Sequence, residues 1–172
     1  MADAANPTNA GEPHAPAVGV VQGTLVEAVD GPAAIEALVG KGMPVLTRLA
    51  SGARGFRILS RIEPTESPVA VMRLALDNGR TIELAAEQQV YTAAGGTVRV
   101  AHLHAGDRLL PSFHYPPGYR LSGEAGEAGA EQEEAPGLAV VSVAACGENV
   151  VYRGHVKETG CMFLNAGILC LL

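Results

Sequence analysis

The sequence predicts an all-β domain on three observations. Short β-branched runs recur along most of the chain, Gly, Pro, Asn and Asp separate them, and only one brief stretch carries a helical stripe. With 48% hydrophobic and 17% charged residues, a chain of 172 can bury one core but hardly two independent ones. Aromatic residues make up 4% and Trp is absent, so that core must be aliphatic.

Residues 1–18, "MADAANPTNAGEPHAPAV", hold too few large apolar side chains to offset the entropy of ordering them. They are expected to form a flexible arm, and they lack the basic start and apolar stretch of a signal peptide. The domain proper then spans 19–172. It opens on "VVQGTLVEAVDG", a β-rich run that climbs to an Asp-Gly turn signal. In "GPAAIEALVGKG", Pro32 suits a first helical turn, Ile35, Leu38 and Val39 make an i, i+3, i+4 stripe, and Gly40 can close the end. This predicts one short helix of about two turns.

Strand-like runs follow in "MPVLTRL", "GFRILSRIEP", "SPVAVMRLALDNGRTIELA", "QQVYTAAGGTVRVAHL" and "DRLLPSFHYPPGY". Asn78-Gly79 is a strong hairpin signal among them, because a tight two-residue turn wants positive φ at both centres. The glutamate-rich segment 121–137, "LSGEAGEAGAEQEEAPG", is expected to be a disordered, solvated loop. After it, "GLAVVSVAAC", "ENVVYRGHVKE", "CMFL" and "GILCLL" resume the β pattern, and the last six residues are almost wholly apolar.

Charge and cysteine usage exclude several function classes. Twelve basic against 18 acidic residues give a net charge of -6, with no Lys/Arg cluster to neutralise several phosphates, so nucleic acid is not an expected partner. No run approaches the roughly 18 apolar residues of a membrane span. Cys146, Cys161 and Cys170 are an odd number without a C-x-x-C pair, which points away from a disulfide framework or a zinc knuckle and toward a reducing, cytoplasmic setting. All three are read as structural cysteines in apolar strands. His102-x-His104 would put two imidazoles on one face of a strand, but no third ligand is marked, and Asp107 reads as a structural turn residue. His114, between Tyr115 and Tyr119, reads as packing in a surface turn. Neither a metal nor a cofactor is expected, and the chain is expected to be a monomer.

Four stretches, in order, resemble the Hint fold shared by hedgehog autoprocessing domains and inteins. They are "GVVQGTLVEAVDGPAAIEAL", "LALDNGRTIELAAEQQVYTAAGG", "VRVAHLHAGDRLL" and "VVSVAACGENVVYRGHVKETGCMFLNAGILCLL". The resemblance spans Gly19 to Leu172 and implies a β horseshoe with pseudo-twofold symmetry, like a mini-intein. The acidic segment falls where many inteins carry an inserted endonuclease.

That resemblance implies where the chemistry should reside, and each position is occupied by an unsuitable residue. An acyl shift needs a thiol or hydroxyl at the first position, ahead of the Gly23-Thr24 pair, and that position is Gly19. The Thr and His that would polarise and protonate the scissile amide correspond to Ala85 and Gln88, and a Gln cannot exchange a proton near neutral pH. The frequent aspartate of the Tyr-containing strand corresponds to Arg153, and the closing His-Asn to Leu171-Leu172. An intein class that replaces the first nucleophile with an internal cysteine would need that cysteine at the position of Arg153 and a tryptophan in the second block, and this sequence has neither. Cys161 stands near the position of a further His, and Asn165 is read as an ordinary turn residue before the last strand. The implied function is a degenerate Hint domain that has lost splicing and autoproteolysis and acts as a structural or interaction module, with a protein or peptide as its partner. The alternative is residual self-cleavage, with Cys161 as its weak nucleophile.

Overall fold

The computed structural model describes residues 17–112 and 137–172. The expected arm therefore lies outside the described residues except for 17 and 18, the acidic loop except for Gly137, and His114 with its two tyrosines altogether. Among the described residues the strands run β1 (Val20–Val21), β2 (Leu25–Ala28), β3 (Gly31–Ala34), β4 (Met43–Arg48), β5 (Arg54–Pro64), β6 (Val69–Leu76) and β7 (Thr81–Ala85). They continue as β8 (Gln89–Tyr91), β9 (Thr97–Arg99), β10 (Arg108–Leu109), β11 (Leu138–Asn149), β12 (Val151–Val156), β13 (Cys161–Phe163) and β14 (Leu169–Leu171). The domain is all-β, as its sequence predicts.

Among the described residues ten strands form one sheet in the order β10-β11-β6-β7-β1-β12-β5-β4-β2-β3, and four form a second in the order β13-β14-β8-β9. Every ladder is antiparallel. The short opening strand β1 therefore lies in the interior of its sheet, with Val20 opposite Tyr152 on one side and Leu84 on the other. The apolar end of the sequence has the matching position in the second sheet, since β14 lies between β13 and β8 with Leu169 and Cys170 fully buried.

Alternation explains how the strands bury one face. In β4, Val45 and Thr47 point inward and are fully buried, while Met43, Pro44, Leu46 and Arg48 keep partial exposure. The main core gathers Val20, Val26, Leu59, Leu74, Leu84, Val90, Ile168 and Cys170 with their neighbours, and each fully buried aliphatic side chain contributes roughly 1.5–3 kcal/mol. A smaller cluster of Cys161, Phe163 and Leu169 lies against Leu46, Tyr91 and Leu110.

Four local expectations need correction. The predicted helix is a strand followed by a single 3-10 turn: Gly31–Ala34 pairs with β2, and only Ile35–Leu38 turns helically. Ile35 and Leu38 are buried as the stripe requires, but Val39 is exposed, because β2 lies beside this segment and its ladder satisfies Gly31–Ala34 better than an isolated short helix could. The Asn78-Gly79 signal does make the β6–β7 hairpin, but Leu76 N donates to Arg80 O and Gly79 N to Leu76 O, so the loop is the three residues 77–79 and only Gly79 has positive φ. His102 ends a second 3-10 turn, Val100–His102, so no strand aligns it with His104. Cys146 is exposed rather than buried, because β11 is an outer strand over that stretch.

Candidate functional site

The first and last strands meet through the turn that joins β7 to β8. Gly19 O accepts a hydrogen bond from Ala85 N at 3.0 Å, and Ala85 O accepts one from Gln88 N at 3.0 Å, which closes a tight turn over 85–88. Gln88 is fully buried, and its side-chain amide reaches β14: Nε2 donates to Leu171 O and, at 2.9 Å, to Gln89 O. Gln88 Oε1 is a buried acceptor with no donor among the described residues. Cys161 is the antiparallel partner of Leu171, and Leu172 N donates to Gly160 O at 2.8 Å. Five positions that the sequence marks separately, Gly19, Ala85, Gln88, Cys161 and Leu171, thus form one connected group, with Leu172 anchored beside it.

Gly19 is held in a conformation that suits glycine. Its φ is +149°, and a Cβ built on it would lie 2.6 Å from Tyr152 O and 2.9 Å from Val151 Cγ2. The first of these is a main-chain atom, so relief requires the backbone to move. The central place of β1, between β7 and β12, causes this crowding.

Thr24 and Arg153 lie apart from that group. Thr24 ends a turn in which its N donates to Val21 O at 3.1 Å, Gly23 supplies φ of +83° as the third residue, and Glu36 Oε2 accepts from Gly23 N at 2.9 Å. The turn borders an open cleft of about 620 Å³ also lined by Gln22, Arg73, Arg80, Glu83 and Asn165, and Thr24 alone of the eight marked positions lines it. Arg153 faces solvent and pairs with Glu63 at 3.1 Å, an exposed ion pair worth about 0–1 kcal/mol. Asn165 is tied down as a turn residue: its N donates to Leu25 O at 2.8 Å, Nδ2 donates to Glu27 Oε1 at 2.7 Å, and Oδ1 accepts from Arg80 Nη1 at 2.7 Å. Asp107 has the turn role read from sequence, since its Oδ2 accepts from His104 N at 2.8 Å.

Sequence reasoning missed a buried polar cluster around Cys161. Thr47, fully buried, has its hydroxyl 2.7 Å from Thr159 Oγ1, 2.7 Å from Cys161 O and 3.3 Å from Cys161 Sγ. One O–H donor and two lone pairs suffice if Thr47 donates to Cys161 O and accepts from Thr159 and the thiol. The hydrogen-bond partners of Cys161 Sγ are this hydroxyl and Arg48 O at 3.9 Å, neither of which is a base. Tyr91 lies against the same thiol, and burial, with Cys161 beside it, raises its phenol above the ordinary 10.0. Burial pushes the Cys170 thiol up to about 12, with Cys161 adding to the shift. A visible signal for this cluster did exist: Thr47 occupies an inward place in an alternating strand, where a polar side chain needs a partner.

No protein-family profile matches the chain, and no curated protein sequence matches it at a significant level. Solved structures do. A bacterial intein-like domain from Clostridium thermocellum superposes with a TM-score of 0.69 at 18% identity, covering 90% of this chain and 98% of that one. A DnaB intein from Synechocystis sp. PCC 6803 gives 0.67 at 15% identity over 91% and 99%. The DnaX mini intein from Spirulina platensis gives 0.66 at 15% identity over 90% and 99%. At these identities the likeness shows the fold, and the chain has the Hint fold of inteins.

Proposed function

We propose that this Hint-fold chain is a module without self-splicing or autoproteolysis, kept for structural or interaction purposes. The observation that carries the reading is Gly19: the position where the fold would need a nucleophile has no side chain, and Tyr152 O occupies the space that a Cβ would fill. The neighbouring positions agree with it. Gln88 spends its amide hydrogens on the main-chain oxygens of Gln89 and Leu171, so its side chain braces the last strand rather than serving as a proton donor.

Fusing the chain between two reporter proteins and following the product by intact-mass spectrometry tests this reading. A single uncleaved species over days, with and without added thiol, is expected. Cleavage before Gly19 or after Leu172 overturns it, and loss of that cleavage in a Cys161→Ala variant would assign the activity to residual chemistry at Cys161. We place the module in the cytoplasm, where its three free thiols stay reduced; no described helix is long and apolar enough to cross a membrane.

A further inference from the structure

The two ends of the ten-stranded sheet are built differently. At one end β3 is only four residues long and contains Pro32, features that discourage another strand from adding there. At the other end β11 runs for twelve residues, and its inner side forms a long ladder with β6. Among the described residues its outer side is covered only at the start. Arg108 and Leu109 pair with Ala139 and Leu138, and the loop before β10 takes Val140, with Gly106 N donating to Val140 O at 2.8 Å and Val140 N donating to Asp107 O at 2.9 Å. Among the described residues, no strand pairs with the outer side of Val141–Asn149.

The first six residues of that free stretch, "VSVAAC", carry no charge and no proline. Val141 is 55% exposed, and Ser142, Ala144, Ala145 and Cys146 are exposed with it. Ser142 to Ala145 keep an unbroken register with β6, and Gly147, at φ of +89°, ends the straight portion. An outer strand of this length without a lysine, a proline or an inward charge is a template for pairing.

We propose that β11 pairs with β11 of a second copy of this chain, antiparallel about a two-fold axis that passes at Ala144. That axis sets Ala144 opposite its own copy, Val143 opposite Ala145 and Ser142 opposite Cys146 of the other copy. Two features of the chain select this occupant. Each copy carries a net charge of -6, so a contact between copies is least opposed where no acidic groups are brought together, and "VSVAAC" is such a surface. The strand also offers a charged partner nothing to recognise, whereas an identical strand matches its small side chains and its unpaired backbone groups through an isologous contact. The sequence leads to the expectation of a monomer; this edge argues for a reversible dimer. Six residues per copy make a contact well under the ~1,200 Å² of stable interfaces, so the association is a weak, reversible one. The contact is independent of the chemistry at Gly19 and Gln88.

Analytical ultracentrifugation of the full chain between about 5 and 500 µM tests the proposal. The average mass should rise from 17.7 kDa toward twice that value as concentration rises. Ala144→Lys puts an ammonium near the axis from each copy, on a side chain that is exposed in the single chain, and should weaken association at least tenfold with an unchanged circular dichroism spectrum. If Ala144→Lys fails to fold, Ser142→Glu serves the same purpose on the same strand. A mass of 17.7 kDa at every concentration overturns the proposal, as does a dimer that persists in a folded variant.

Discussion

The side chain of Gln88 donates a hydrogen bond to the main-chain oxygen of Leu171, tying the turn beside the first strand to the strand that ends the chain. Gln88 has no exposed surface, so water cannot replace it. Gln88→Ala leaves the oxygens of Leu171 and Gln89 without this donor and opens a small void, and should cost about 2–3 kcal/mol. Gln88→Glu should cost more at pH 7, because a buried carboxylate would face two carbonyl oxygens that offer it no proton. Urea unfolding midpoints in the order wild type, Gln88→Ala, Gln88→Glu are expected; an alanine variant within about 0.5 kcal/mol of wild type would refute the brace.

Gly19 sets a second expectation. Restoring a nucleophile by Gly19→Cys forces a Cβ against Tyr152 O and imposes an unfavourable φ, so the variant should lose about 2–4 kcal/mol and remain uncleaved. Gly23→Ala separates the two causes. Its φ is +83° but nothing lies within 4 Å of the added carbon, so only the backbone conformational cost of about 1 kcal/mol should appear. Thermal unfolding of the pair measures the difference, and equal losses would show that the contact with Tyr152 is not responsible.

Much of this fold was legible because strand periodicity is local. Val45 and Thr47 alternate with outward neighbours, the Asn78-Gly79 turn joins β6 to β7, and the apolar final residues form an interior strand. What could not be read depends on residues far apart in the chain. The segment "GPAA" becomes a strand because β2 lies beside it, and no pattern within those four residues encodes that neighbour. Thr47 meets Thr159 and Cys161 more than 110 residues later, and Gln88 meets Leu171 at a separation of 83. Alignment of motifs identified Gln88 and Leu171 as positions of interest, but only the packed chain shows that they touch.

The Thr47 hydroxyl leads to a third expectation. Thr47→Val preserves shape and removes the hydroxyl that bonds both Thr159 and the carbonyl of Cys161, so a loss of about 1–2 kcal/mol should follow. Thr159 Oγ1, at 3.5 Å from the same carbonyl, can recover part of it. Because Thr47 also contacts the thiol, combining Thr47→Val with Cys161→Ala should give a non-additive result of about 0.5–1 kcal/mol in equilibrium unfolding. Strict additivity would mean that the thiol takes no part in the cluster.

Cys170 ties stability to alkaline pH. Its thiol is raised from 9.0 to about 12 by burial, with neighbouring Cys161 adding to the shift, so the folded chain holds a proton that the unfolded chain releases. The folded state therefore binds more protons between pH 9 and 12, and stability is full below pH 9 and falls as pH rises through that window. Cys170→Ala should be less stable than wild type at pH 7, since it empties a fully buried site, yet show a flatter decline from pH 9 upward. Labelling with a thiol reagent at pH 8 gives an independent reading: the exposed Cys146 should react in the native chain, and Cys161 and Cys170 only after unfolding. Rapid native labelling of Cys170, or parallel pH profiles for the two proteins, would show that its thiol is not held protonated by the fold.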